Sequence, residues 1–199
     1  MLYTLLMHAL RVFAWPALWW LGRKTPGYRE RWAERRGVVA VLPQARGGIV
    51  LHTASMGEVM AALPLVRALQ AARPAWPITV TCTTPTASAL IRERLGASVH
   101  HCYLPIDTPG AARRFIAAMA PRGLVLLETE LWPNLLQAAQ DAGVRVVLAN
   151  GRLSERSARR YASLKTLTQH ALNNLDLLLV QDDATQQRFV ALGAEPARV

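Results

Sequence analysis

The sequence predicts an α/β protein built on a Rossmann-like parallel sheet flanked by helices. Three observations carry this expectation. Short, continuous apolar runs recur along the chain, as expected for strands covered on both faces. Stretches with apolar residues at helical spacing separate them. Strand and helix alternate, which makes βαβ units with right-handed crossovers. A chain of 199 residues is long enough for one sizeable core.

The first segment stands apart from that rhythm. MLYTLLMHALRVFAWPALWWLG is about the length of a bilayer span, but His8, Arg11 and Pro16 interrupt it. Trp15, Trp19 and Trp20, followed by GRK, have the pattern of an interfacial belt with a positive cytoplasmic flank. A cleaved signal peptide is disfavoured, because the bases follow the apolar run and no A-x-A site appears. A buried soluble helix is the alternative. Residues 1–24 are expected to be a membrane anchor that spans the bilayer or lies in its interface. Residues 25–47 are expected to be a basic linker, and 48–199 the Rossmann-like domain.

Within that domain, strands are predicted at GIVLHTA, PITVTCTT, VHHCYLP, GLVLLE, VRVVLAN and LDLLLVQ. In EVMAALPLVRALQAAR, Val59, Leu63, Val66 and Leu69 fall at helical spacing, with Pro64 as an expected kink. TASALIRERLG starts at a Thr cap and stops at a Gly, and SERSARRYASLKTLTQHAL starts at a Ser cap.

Ligands of open α/β sheets bind outside the carboxyl ends of the strands. Several polar groups fall there: Glu58 after the first strand, Glu128 and Glu130 after the fourth, Asn150 and Arg152 after the fifth, Gln181 and Asp182 after the sixth. A carboxylate at the end of a buried strand is costly to desolvate without a partner or a task. The alternative is structural, with Glu130 capping the next helix and Glu128 in an ion pair.

Composition narrows the function. The net charge is +10, and half of it lies in residues 1–36. The pI near 10.9 favours anionic partners. Hydrophobic residues make up 52% of the chain, apolar for a soluble domain. Cys82 and Cys102 have no zinc spacing and cannot form a disulfide framework. His52, His100 and His101 lack a second ligand at metal spacing, so packing is expected for each and no metal. Neither G-x-G-x-x-G nor G-x-x-x-x-G-K-[ST] occurs, and Ser55 lacks a G-x-S-x-G context.

The segments HTASMGEVMAALPLVRAL, PITVTCTTPTASALI, HHCYLPIDTPGAARRF, LLETELWPNLL and VVLANGRLSERSARRY together resemble the N-terminal half of the Kdo transferases. These membrane-associated enzymes add 3-deoxy-D-manno-octulosonic acid (Kdo) to the lipid A precursor in lipopolysaccharide biosynthesis of Gram-negative bacteria. The resemblance covers essentially the whole chain, and ETELWPN is its most distinctive motif. One departure is Gly151 in ANGRLS, where alanine is usual.

The resemblance implies one half of a two-domain GT-B glycosyltransferase at the cytoplasmic side of the inner membrane. This half would carry the acceptor site for the lipid A precursor. The donor CMP-Kdo would be bound by a C-terminal half that this sequence does not contain, so the chain alone is expected to be inactive. By the same resemblance Glu58, in an S-x-G-E motif with Ser55 and Gly57, is the proton acceptor. Glu128 stabilises the transition state. Glu130, Asn134, Asn150 and Arg152 support the site. Gly57 is expected to allow a tight turn and keep the approach open. No cofactor is implied. Anionic membrane lipid is the expected further partner, and nucleic acid is not, because the aromatic and basic residues cluster beside an apolar helix. The competing readings are another nucleotide-using enzyme of Rossmann type, or a basic lipid- or nucleic-acid-binding module without catalysis.

Overall fold

The computed structural model describes residues 2–40 and 43–199; Met1, Val41 and Leu42, within the expected anchor and linker, lie outside the described residues. The chain opens with helix α1 (Leu2–Leu21), which contains Pro16, and continues through the short helix α2 (Trp32–Arg35). The alternating part follows as β1 (Ile49–His52), α3 (Met56–Ala72), β2 (Ile78–Cys82), α4 (Pro85–Leu95) and β3 (His100–Tyr103). Next come α5 (Pro109–Met119), β4 (Gly123–Leu127), α6 (Pro133–Asp141) and β5 (Arg145–Gly151). The chain closes with α7 (Glu155–Ser163), α8 (Lys165–Asn173), β6 (Leu177–Val180) and α9 (Asp183–Ala191).

All six expected strands form, and they pair in parallel in the order β3-β2-β1-β4-β5-β6. That order is the Rossmann one, and its topological switch point lies between β1 and β4. Successive strand residues face opposite sides, so neighbours along one strand enter different cores. Val50, Leu124, Leu126 and Leu148 pack with Phe115, Leu136 and Phe189 on one side of the sheet. Leu51, Val80 and Leu127 pack with Val59, Val66 and Ile91 of α3 and α4 on the other. The edge strand β6 is the exception to double coverage, since Leu177 and Leu179 are exposed.

Pro64 lies inside α3, which runs on past it. The helices depart from the sequence pattern in two places. The cap of α4 is Thr84 rather than Thr86, its hydroxyl accepting from Ala87 N–H, because Pro85 suits the first helical turn. The long helix expected from Ser154 onward begins at that cap but divides at Leu164, whose ψ of 41° leaves the helical region. The Thr168 hydroxyl donates to the Tyr161 carbonyl at 2.8 Å, satisfying the end of α7.

The expected basic linker is residues 25–47. Its described part docks across the carboxyl ends of β2 and β3. Arg31 donates to Glu34 at 2.8 Å, to the Ser88 hydroxyl at 3.1 Å and to the His101 carbonyl at 3.0 Å. Glu34 accepts from Tyr103 N–H at 2.7 Å, and Ile106 N–H donates to the Arg35 carbonyl at 2.9 Å. Gly37 (φ 77°) passes so close to α5 that a Cβ there would meet the Ala111 carbonyl oxygen at 2.2 Å. Arg31 and Glu34 pair with each other and with backbone groups of the rim, and Trp32 stacks on Trp15.

α1 is held to the same rim. The Tyr3 hydroxyl donates to Asp107 at 2.7 Å, Thr4 donates to Asn134 at 3.1 Å, and Trp15 stacks on Trp32 with ring centroids 4.2 Å apart. Leu5, Leu6, Val12, Phe13, Trp19 and Trp20 remain exposed, Phe13 to 69%.

Candidate active site

Strand β1 ends at His52, and the chain turns through Thr53 and Ala54 into α3, whose cap is Ser55. Serine three residues before glutamate makes a capping box. The Ser55 hydroxyl accepts from Glu58 N–H at 3.3 Å and donates to Glu58 Oε1 at 2.9 Å. Glu58 Oε2 accepts from Ala54 N–H at 2.6 Å. Glu58 is only 7% exposed. Its carboxylate is therefore aimed by two hydrogen bonds and lies at a helix N-terminus, where negative charge is favoured. Capping and chemistry are not alternatives at this position, because the cap is what holds the carboxylate at the rim.

β4 delivers the other two glutamates across the switch point. Glu128 takes a left-handed backbone (φ 54°) and donates its N–H to the Ala149 carbonyl at 2.9 Å. A bulky residue in that region costs about 1–2 kcal/mol and is tolerated where the surroundings demand it. Glu130 does not cap α6, whose N-cap position is Trp132. Glu130 is instead half-buried against His52, with Oε2 4.0 Å from Nε2. The His52 ring is fully buried, sets Nδ1 2.9 Å from the Thr81 hydroxyl and leaves Nε2 without a hydrogen-bond partner. Desolvation drives the His52 pKa down to about 3, so the ring is neutral. Desolvation also pushes Glu130 up to about 7, with the Glu58 charge adding to it and Glu128 contributing less.

The remaining expected site residues have different surroundings. Ser55 is exposed and serves as the cap. Gly57 lies in the first turn of α3 without a positive φ, so no tight turn explains it. A Cβ there would meet nothing nearer than Ser55 Oγ at 3.8 Å, which leaves the approach to the rim open. Asn134 uses its side chain to hold the fold, donating to the Asp107 carbonyl at 2.6 Å and accepting from Thr4. Asn150 (φ 57°) is exposed and accepts from Gln181 at 2.9 Å. Arg152 is exposed and meets Thr129 through its backbone carbonyl, not its guanidinium.

Sequence reasoning passed over three groups at this rim. Asp107 is 1% exposed, accepts from Leu135 N–H at 2.8 Å and Asn134 N–H at 3.0 Å, and so holds the start of α6 in place. Its burial at a helix N-terminus has no local sequence signal. Tyr161 lies close enough to Glu130 for that charge to raise its pKa, after burial. Trp132 meets the His52 ring edge-on with centroids 6.2 Å apart. The ETELWPN motif contained Trp132, but nothing in its spacing pointed to His52.

A carboxyl pushed up to about 7 beside two further glutamates is suited to acid–base work near neutrality. Among the described residues, no three His, Cys, Asp or Glu side chains are grouped to hold a metal ion.

Comparison with known proteins places this geometry. The family model described as 3-deoxy-D-manno-octulosonic-acid transferase (kdotransferase) matches residues 30–199. The chain belongs to the Kdo transferase family. It is 43% identical over 175 residues to the 3-deoxy-D-manno-octulosonic acid transferase of Haemophilus influenzae, covering 87% of this chain and 41% of that protein. It is 37% identical over 201 residues to the Bordetella pertussis enzyme of the same name, covering 96% of this chain and 46% of the relative. The chain thus spans less than half the length of these curated relatives. A solved UDP-N-acetylglucosamine 2-epimerase superposes with a TM-score of 0.55 at 12% identity, covering 77% of this chain and 45% of its own. At that identity the likeness speaks for the fold alone, a Rossmann-like half of the GT-B kind.

Gly151, the departure from the Kdo transferase pattern, has a local reason. β5 shifts register between Leu148 and Gly151, and a methyl group on Gly151 would lie 2.5 Å from Leu148 Cδ2. Alanine there would require the Leu148 side chain to move.

The Glu130 environment predicts a pH signature. A carboxyl whose pKa rises from 4.5 to about 7 on folding binds more protons in the folded state across that window. Its contribution to stability is full below about pH 4.5 and is lost as pH rises through about 7. His52 has the opposite sign, its contribution being lost as pH falls from 6.5 toward about 3. Glu130→Gln isolates the first effect. The melting temperature of the parent minus that of the variant is expected to fall between about pH 5 and pH 8. A difference that stays level across this range would refute a protonated, buried Glu130.

Proposed function

We propose that this chain supplies the acceptor half of a Kdo transferase that moves Kdo from CMP-Kdo to a hydroxyl of a lipid A precursor. The observation that carries the reading is the meeting of Glu58 with Glu128 and Glu130 at the β1–β4 switch point, where ligands of such sheets bind. In the proposed step, Glu58 accepts the proton of the attacking hydroxyl. The hydroxyl oxygen bonds to the anomeric carbon as the bond to the phosphate oxygen of CMP breaks. CMP leaves with the electron pair, and the anomeric centre inverts. Glu128 faces the positive charge that develops on the sugar in an oxocarbenium-like transition state. The nucleotide would be held by a second Rossmann-like domain facing this rim.

The test is an assay of the full-length protein with CMP-Kdo and lipid A precursor, following CMP release and Kdo-modified lipid together. Both products are expected. CMP release without modified lipid would identify a hydrolase, and neither product would remove the transferase reading.

The exposed side of α1 supports a membrane-surface role, placed at the cytoplasmic face of the inner membrane. Among the described residues no helix is long and apolar enough to cross a membrane. α1 instead offers Leu5, Leu6, Phe13 and Trp20 on one side, flanked by Arg23, Lys24 and Arg29. That combination suits a helix lying in the interface of an anionic bilayer. The chain is expected to float with vesicles containing phosphatidylglycerol and to remain largely bound at about 1 M salt, where charge attraction is screened. Replacing Phe13 and Trp20 together by Asp should release it. Complete release of the parent chain by salt alone would contradict apolar insertion.

A further inference from the structure

Between α1 and the carboxyl rim of the sheet lies an open cleft of about 380 Å³. Leu10 and Ala14 of α1 form one wall, and Leu104, Ile106 and Trp132 form the other. Arg35 lines it as well. This residue is 5% exposed and its guanidinium lies over the Tyr103 ring, with the carbon 4.1 Å from the centroid. Nη1 donates to the Thr83 carbonyl at 3.1 Å, but Nε and Nη2 have no partner.

A buried guanidinium with two unused donors is costly, and the nearby carboxylates do not relieve it. Glu34 is committed to Arg31 and to Tyr103 N–H. Asp107, which also lines the cleft, is committed to Leu135 N–H, Asn134 N–H and the Tyr3 hydroxyl. Among the described residues Arg35 makes no ion pair. The two idle donors are the side-on pair of the guanidinium, the edge that binds phosphate or carboxylate oxygens in parallel.

The cleft is also continuous with two surfaces that matter. Leu10 belongs both to its wall and to the exposed apolar residues of α1. Trp132 belongs both to its wall and to the carboxylate site through its edge-on contact with His52. An apolar passage therefore leads from the outer side of α1 toward the reacting groups, with one unpaired cation along it.

We propose that this cleft binds one acyl chain of a phosphorylated lipid, with Nε–H and Nη2–H of Arg35 donating to its phosphate. The proposal rests on the acceptor reading above and names how that acceptor is held. The charge complementarity of an unpaired buried cation with an anionic group, inside apolar walls, selects an amphiphile over a neutral lipid or a free anion.

The test is calorimetric titration of the intact chain with decyl phosphate below its micelle concentration, beside decanol and inorganic phosphate. Decyl phosphate is expected to bind at least about tenfold more tightly than either comparator, the equivalent of one good charge-assisted contact. Arg35→Gln should remove that advantage and leave decyl phosphate no tighter than decanol. Because Arg35 also holds Thr83, a melt of the variant accompanies the titration. Ala14→Trp supplies the second arm, since it fills the cleft and leaves Arg35 untouched, and it should abolish saturable binding. Equal affinity for decanol, equal affinity for inorganic phosphate, or unchanged binding by Ala14→Trp would each overturn the proposal. The titration needs no donor and no turnover. Loss of transferase activity in the full-length protein would therefore leave a positive binding result standing.

Discussion

Glu58→Gln in the full-length protein is expected to lower turnover by about 10²- to 10⁴-fold at saturating acceptor, the range typical of losing a general base. The same change should cost about 1 kcal/mol of stability, because Glu58 also closes the capping box with Ser55 and holds Ala54 N–H at 2.6 Å. An amide cannot keep both oxygens as acceptors. Turnover at saturating acceptor and a thermal melt separate the two contributions. A lowered melting temperature with near-parental turnover would make Glu58 a cap and nothing more. Ser55→Ala is the matched control, since it weakens the cap but keeps the carboxylate. It should reproduce the stability loss with a much smaller loss of rate.

Replacing Glu128 is expected to separate rate from stability in the opposite direction. Its left-handed backbone is one that glycine adopts freely, so Glu128→Gly should stabilise the fold, by about 1 kcal/mol. Glycine also adds freedom to the unfolded chain, which keeps the gain at the low end. Turnover of the full-length protein should nonetheless fall by about 10²- to 10³-fold, the scale of removing one group aimed at transition-state charge. Glu128→Gln retains the strained backbone and should lose rate without gaining stability. A Glu128→Gly variant that melts higher and turns over normally would show that the strain serves no chemistry.

The six strands were legible because parallel strands covered on both faces read as unbroken apolar runs, as in Leu124–Leu127 and Val146–Ala149. The cap at Ser154 was legible for a local reason, as serine side chains satisfy N–H groups two or three residues ahead. The positions of Glu58, Glu128 and Glu130 just past strand ends followed from the same pattern. Thr86 was a wrong cap because Pro85 offered a better first turn one residue earlier. The partners of Arg31 and Arg35 were not legible, because Ser88, His101 and Thr83 lie far along the chain.

What the sequence by itself determined is the local part: the α/β rhythm, the Ser154 cap, the carboxylates at strand ends and, through whole motifs in order, the family. These depend on periodicity and on contacts within a few residues. Tertiary structure alone decided which strand ends meet. Strand order puts β1 beside β4, and only then does Glu58 raise the proton affinity of Glu130 while His52 loses its own. It also decided that Asn134 fastens the fold, that Asp107 holds α6, and that Arg35 is buried with idle donors beside an apolar cleft. Proton affinity and hydrogen-bond satisfaction depend on burial and on neighbours distant in sequence, and those exist only once the sheet has closed.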